Sequence, residues 1–213
     1  MRASRREEVG DALADGSATP TPESVLPPDP TTFTATPAAG LILAIDAASI
    51  RSGYAVMTGA DTLVDAGTVG APAGWSPADR VALQIDDLAD IVAEHRPVRM
   101  VVELPATKPH ARARGRGGST SGLGTLGFAA GGIWHAGFAF CALPPVGVPV
   151  DRWTLGRGRP QRKAQRVAET AARFDLPRDI KHLDDVADAI ALGRWWFLQG
   201  GDADGAPARK GAA

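Results

Sequence analysis

The sequence is short of several things, and each shortage excludes something. It has one cysteine, Cys141, so no disulfide can form within the chain, a usage compatible with a reducing cytosol. No run of 18 apolar residues occurs, so no membrane-crossing helix is expected. The start, MRASRREEVGDALADG, is basic at first but has no apolar segment behind it, so no secretory signal is expected. Acidic residues are missing locally. From Leu104 to Val150 there is no Asp or Glu, while Lys108, Arg112, Arg114 and Arg116 fall within nine residues. From Arg152 to Arg166 there is again no acid, and Arg152, Arg157, Arg159, Arg162, Lys163 and Arg166 supply six cations. The formal net charge of the whole chain is only −1, so these are local features. Two acid-free basic segments in a near-neutral protein point to a surface for a polyanion. The plainer alternative for either one alone is a solvated loop.

What is present is ordinary for a globular protein: 213 residues, 44% apolar and 22% charged. That length suits one domain with tails. Residues 1–38 are polar, rich in Pro, Thr, Ser and Asp, and without apolar periodicity, so they are expected to form a disordered arm. Residues 200–213 read in the same way, which leaves one folded domain over 39–199.

Within it, LILAI is a buried-type strand, and SGYAVM and TLVDAGTV follow as a meander. Ser76-Pro77-Ala78-Asp79 starts a helix with a Ser cap, Pro at the first helical position and an acid in the first turn. That helix is expected to bury Val81, Ala82, Ile85, Leu88, Ala89 and Val92 and to end near His95. VRMVVE is a fourth strand and VGVPV a short fifth, with helices expected over 121–140, 160–174 and 184–198. The order predicts an α/β fold, a mixed five-stranded sheet with helices on both faces.

Three of these apolar elements carry an unexpected acid. Asp46 is the only charge between Leu41 and Ile50. Glu103 ends the fourth strand, and Asp185 and Asp188 are three apart at the start of the last helix, so they share a face. A buried carboxylate costs several kcal/mol unless something pairs with it. If the first and fourth strands are neighbours and the helix end lies beside them, four carboxylates converge, and they stay ionised only with cations among them. Hard divalent cations such as Mg²⁺ or Mn²⁺ suit such oxygen donors. Two of them about 4 Å apart form a clamp for phosphodiester hydrolysis. Each acid also has a structural reading: Asp46 capping the next turn, Glu103 pairing with an arginine of the loop after it, Asp184 or Asp185 capping the helix. Spacings of three and four to Asp188 are both allowed; the expectation is Asp184 as cap and Asp185 as ligand.

Taken together the motifs resemble a known family. Asp46-x-x-Ser49-x-x-x-Gly53 after an apolar strand resembles the first motif of RuvC-type Holliday-junction resolvases, in the ribonuclease H-like superfamily. Val101-Val102-Glu103 resembles their second acidic strand, and Leu123-Gly124-Thr125-Leu126-Gly127 with Gly131 the helix after it. Gly156-Arg157-Gly158 with Arg162-Lys163 resembles the segment before the penultimate helix, and Asp185-x-x-Asp188-Ala189 the terminal one. The ordered set, spanning about 40–198, is the specific signal. The resemblance implies a homodimeric, Mg²⁺-dependent endonuclease that nicks opposed strands of a four-way DNA junction, with two metal ions held by Asp46, Glu103, Asp185 and Asp188 and with Mn²⁺ able to substitute. It also implies a cytoplasmic setting in a bacterium or a phage-infected host, and no membrane. Lys108, Arg112, Arg114, Arg116, Arg157, Arg159, Arg162 and Lys163 are the expected DNA-backbone contacts. Either Arg162 or Lys163 would hold the scissile phosphate.

There are departures. Ala47-Ala48 stand where the family often has Pro-Gly, and Leu104-Pro105 where it often has an aromatic that stacks on opened bases. These departures are those expected of a divergent relative, phage-borne or otherwise. Gly124, Gly127 and Gly131 share a helix face, and the expected compensation is close backbone approach to the sheet or to the same helix of a second subunit. A ribonuclease H or flap nuclease of the same fold shares the acids, and a non-catalytic junction-binding scaffold shares the basic segments. An actin-like ATPase needs two such halves and a longer chain. Gly115-Arg116-Gly117-Gly118 lacks the Gly-Lys-Ser/Thr ending of a phosphate loop.

Overall fold

The structure, a computed structural model, describes residues 40–106, 120–154, 159–176 and 180–200. Strand β1 (Ile42–Asp46) runs at the centre of a five-stranded sheet. It pairs antiparallel with β2 (Arg51–Gly59), which pairs with β3 (Thr62–Gly70), so the expected meander forms. On its other side β1 pairs parallel with β4 (Arg99–Leu104), and β4 with β5 (Val146–Pro149). The order is β3-β2-β1-β4-β5, a mixed sheet as predicted. Helix α1 (Pro77–His95) and helix α2 (Thr120–Phe140) cover one face. A short helix not expected from the sequence, α3 (Val150–Trp153), lies on the other face with α4 (Arg159–Phe174) and α5 (Leu183–Leu198).

The alternation of a strand decides which acid faces which helices. Ile42 packs in the core of the α5 face, whereas Leu43 and Ile45 pack in that of the α1–α2 face. Asp46 therefore falls on the α5 side. In β4, Val101 belongs to the α5 face and Met100 and Val102 to the other, so Glu103 also points to the α5 side. Ile45 pairs with Val102, which sets Asp46 and Glu103 next to each other at the carboxyl ends of parallel neighbours. Such strand ends are where open α/β sheets form their crevice.

Helix α1 has the expected cap: the Asp79 amide donates to Ser76 Oγ at 3.2 Å. Its buried stripe differs in phase. Arg80, Val81, Gln84, Leu88 and Val92 are buried, and Ala82 is exposed. Gln84 can be inside because Ser52 Oγ donates to its Oε1 at 2.6 Å, so a polar residue fills a position that apolar spacing alone assigns elsewhere. Trp196 is fully buried while Trp195 is partly exposed.

Helix α2 excludes one of the two partners expected for its glycines. Among the described residues a Cβ placed on Gly124, Gly127 or Gly131 meets nothing within 4 Å, so the sheet does not lie against these glycines. The sheet side of α2 is instead Ala129, Ala130, Ile133 and Gly137. Phe128 and Phe138 stand at 52% and 51% exposure beside the open glycines.

Candidate active site

The turn after β1 is held by side chains of the opposite face. Ser52 Oγ accepts from the Ala48 amide at 3.0 Å. Arg80 donates from Nε to the Ser49 carbonyl at 2.9 Å and from Nη1 to the Ala73 and Trp75 carbonyls. The register pairs Asp46 with Gly53, and a Cβ on Gly53 would lie 2.1 Å from the Asp185 carbonyl oxygen. Only glycine lets the start of α5 press onto β2 beside Asp46. That is the physical content of the Asp-x-x-Ser-x-x-x-Gly spacing: the acid and the glycine that admits the second acidic element are pairing partners.

The convergence expected of the four acids is visible in the field at Asp46. Burial pushes its carboxyl well above the usual range, and the charges of Glu103, Asp188 and Asp185 push it further; only the Lys163 ammonium pulls the other way. No hydrogen bond or ion pair closes on Asp46 among the described residues. The other acids are engaged. Asp185 receives Arg51 Nε at 3.0 Å and lies 3.6 Å from Lys163 Nζ. Asp188 receives Arg166 Nε at 2.5 Å. Glu103 Oε2 accepts from Trp153 Nε1 at 2.8 Å. In this arrangement no three Asp, Glu, His or Cys side chains among the described residues close on one point at ligating distance. The donor set nevertheless fits a hard divalent cation: oxygen donors only, from four carboxylates, one of them desolvated and without a cation of its own.

Asp184 is not the helix cap. His182 occupies that position in the left-handed region, φ 60°, and makes no side-chain cap bond. Asp184 lies in the first turn, 43% exposed, and meets Lys163 Nζ at 2.5 Å. That hydrogen bond draws the Asp184 carboxyl below its usual range. Burial pulls the Lys163 ammonium down, but Asp184, Asp185 and Asp188 outweigh it and hold it above its usual value. Asp185 is 19% exposed and acts on Asp46, whereas Asp184 is absent from the charges that do. Arg51 Nη1 also meets His182 Nε2 at 2.9 Å; a guanidinium can only donate, so this nitrogen accepts.

Of the expected DNA contacts, Lys163 sits at the acids. Lys108, Arg112, Arg114, Arg116 and Arg157 lie outside the described residues, as do the side chains of Arg159 and Arg162 and the arm and tail at 1–38 and 201–213. His110 lies outside them as well. Sequence reasoning missed Arg51, Arg80 and Trp153 at the site. It took Arg166 only as part of a basic segment, although Arg166 is three residues from Lys163 and shares its face of α4.

No protein-family model matches the sequence, and no curated protein matches it. Solved structures do. The chain resembles Thermus thermophilus RuvC in complex with a Holliday junction substrate at TM-score 0.56 and 14% identity, covering 76% of this chain and 98% of that one. It resembles the Thermus thermophilus RuvC structure at TM-score 0.52 and 16% identity, with the same coverage of both chains. The fold is thus that of these two RuvC structures, in agreement with the ribonuclease H-like arrangement that the ordered motifs implied.

Proposed function

We propose that the protein is a metal-dependent endonuclease that resolves four-way DNA junctions. The observation that carries this is Asp46: a desolvated carboxylate at the end of a central strand, flanked by three acids and without a hydrogen bond or ion pair among the described residues. Asp46, Glu103, Asp185 and Asp188 would hold two Mg²⁺ ions, with Mn²⁺ as a substitute. When bound, these ions supply an activated water and neutralise charge building on the scissile phosphate. The remaining chemistry belongs to the chain. Lys163, already drawn to this corner, is placed to hold a non-bridging phosphate oxygen. The basic segments at 108–116 and 157–163 would follow the DNA backbone and give affinity without reading sequence. The substrate class is taken from the structural neighbour bound to a Holliday junction.

Nicking opposed strands of a symmetric junction calls for two active sites related by a two-fold axis. The α2 face supports a homodimer: three glycines with open space above them, flanked by exposed Phe128 and Phe138. Glycine weakens a helix by up to about 1 kcal/mol relative to alanine, a cost that close helix–helix approach offsets. Substitution of Phe128 by Asp should convert the dimer to monomer by light scattering; a mass unchanged by this substitution contradicts α2 as the interface.

The functional test compares a labelled four-way junction, a flap and an RNA–DNA hybrid in Mg²⁺. Cleavage should be fastest on the junction. Asp46→Asn should retain junction binding while cleavage falls about 10³-fold, the kinetic equivalent of several kcal/mol of lost metal-ion stabilisation. Preferential cleavage of the hybrid would sink the reading, as would wild-type cleavage by Asp46→Asn.

A further inference from the structure

We infer that Arg166 controls how readily this site takes up divalent metal: it competes with the ion for Asp188 and yields by moving into the cleft between α4 and α5. The inference rests on the metal-site reading above.

Among the described residues three cations pair with the acids, and they are not equivalent. Arg51 and Lys163 are 34% and 39% exposed, so solvent screens their pairs. Arg166 and Asp188 are 16% and 13% exposed. A pair so far out of water is held strongly, because removing one partner leaves the other charge buried and uncompensated. A divalent ion at Asp188 would sit within a few ångströms of the guanidinium, and the two positive charges repel. Uptake of the ion therefore requires Arg166 to leave the carboxylate.

The structure provides somewhere for it to go. The guanidinium carbon already lies 5.1 Å from the centre of the Trp153 ring, a cation–π contact that can persist while the head group turns. Arg166 and Trp153 both line a cleft of about 710 Å³, together with Gln165, Glu169 and Thr170. Glu169 is three residues along α4 on the same helix face; its Oε1 accepts from Gln165 Nε2, and its other oxygen offers the displaced guanidinium a partner. Trp153 is itself fixed by its hydrogen bond to Glu103, so the plate on which Arg166 turns is anchored to another acid of the site. Arg166 is thus a positioning residue with two seats, one on Asp188 and one in the cleft.

The test is Mn²⁺ binding to the full chain, by calorimetry and by the Mn²⁺-dependent shift in melting temperature. Arg166→Gln should melt lower than wild type without metal, bind Mn²⁺ about tenfold more tightly because one nearby positive charge is gone, and show a larger Mn²⁺ shift. Glu169→Gln, which weakens the second seat and leaves the acids alone, should bind Mn²⁺ about twofold more weakly. If Arg166→Gln lowers the melting temperature equally with and without Mn²⁺ and its affinity is unchanged or weaker, the residue is merely structural and the inference is overturned. If Arg166→Gln does not fold, an affinity of Glu169→Gln equal to that of wild type overturns it. Asp46→Asn separates the two levels of the argument. Wild-type Mn²⁺ affinity in that variant, or no Mn²⁺ binding by the wild type, defeats the metal site itself and the inference with it.

Discussion

The two faces of the central sheet treat buried polar groups in opposite ways. On the α1 face, Ser52 Oγ meets Gln84 Oε1 and the backbone of Ala48, and Arg80 donates to three backbone carbonyls. These contacts are neutral pairs or a cation spread over carbonyl dipoles, and they fix the turn that follows β1. The one exception is Gln84 Nε2, which has no partner among the described residues, and it is an uncharged group. On the α5 face, a few ångströms through the same strand, like charges are gathered and Asp46 is left under the field of three other carboxylates. The contrast teaches what separates structural from functional polarity. The polar groups named on the α1 face find partners in the fold, Gln84 Nε2 excepted, whereas Asp46 has no hydrogen bond or ion pair among the described residues.

Substitutions on each face should sharpen that contrast. The largest effect is expected where the α5 face meets the sheet. Gly53→Val drives a branched side chain into the Asp185 carbonyl, and should cost about 3 kcal/mol by urea denaturation and abolish cleavage, because α5 cannot keep its place. Stability equal to wild type would mean that α5 does not need this approach. Next, Gln84→Leu removes the acceptor of the buried Ser52 hydroxyl and should cost about 1–2 kcal/mol, with junction cleavage reduced far less than by any acid substitution. A cleavage loss as large as that of Asp46→Asn would erase the distinction between the faces. The smallest effect is expected at the start of α1. Ser76→Ala removes the cap bond to Asp79 and should cost about 1 kcal/mol, with cleavage unchanged.

Much of this architecture is legible in the sequence, and the illegible part has a pattern. Asp46 and Glu103 stand out because a charge in an apolar strand breaks a local rule, and Asp185 and Asp188 because their spacing fixes a shared helix face. The mixed five-stranded sheet follows from the order of elements and from motifs distinctive only as a set, while the adjacency of the first and fourth strands comes from the structure. What escapes is whatever depends on partners far apart in the chain. Arg51 reaches α5 across 134 residues, and Trp153 reaches Glu103 across 50, from a helix too short to show periodicity. Gln84 displaces Ala82 from the buried stripe because Ser52, 32 residues away, supplies a donor. Asp184 looks like a cap by composition, yet α5 starts one residue earlier and Lys163 claims its carboxylate. The glycines of α2 fitted contact with the sheet or with the same helix of a second subunit, and only the structure shows that the sheet does not lie against them.

The central claim is that Asp46 is a desolvated carboxyl that no hydrogen bond or ion pair satisfies among the described residues, and its linkage to pH gives the sign of the test. A carboxyl raised in the folded state binds its proton more tightly there than in the unfolded chain. Its stabilising protonation is fully present below the ordinary value of 3.8 and is lost as pH rises through the folded-state value. That stabilisation is diminished at neutral pH, so Asp46 makes the metal-free protein less stable there than in acid. The direct measurement is the unfolding free energy of wild type and Asp46→Asn, without metal and with Mn²⁺, at neutral pH and near pH 4. The account predicts that Asp46→Asn is the more stable of the two without metal at neutral pH. That advantage should shrink toward pH 4, and the variant should lose most of the stabilisation that Mn²⁺ gives the wild type. An Asp46→Asn protein that is less stable than wild type without metal, or that gains as much from Mn²⁺, would contradict it.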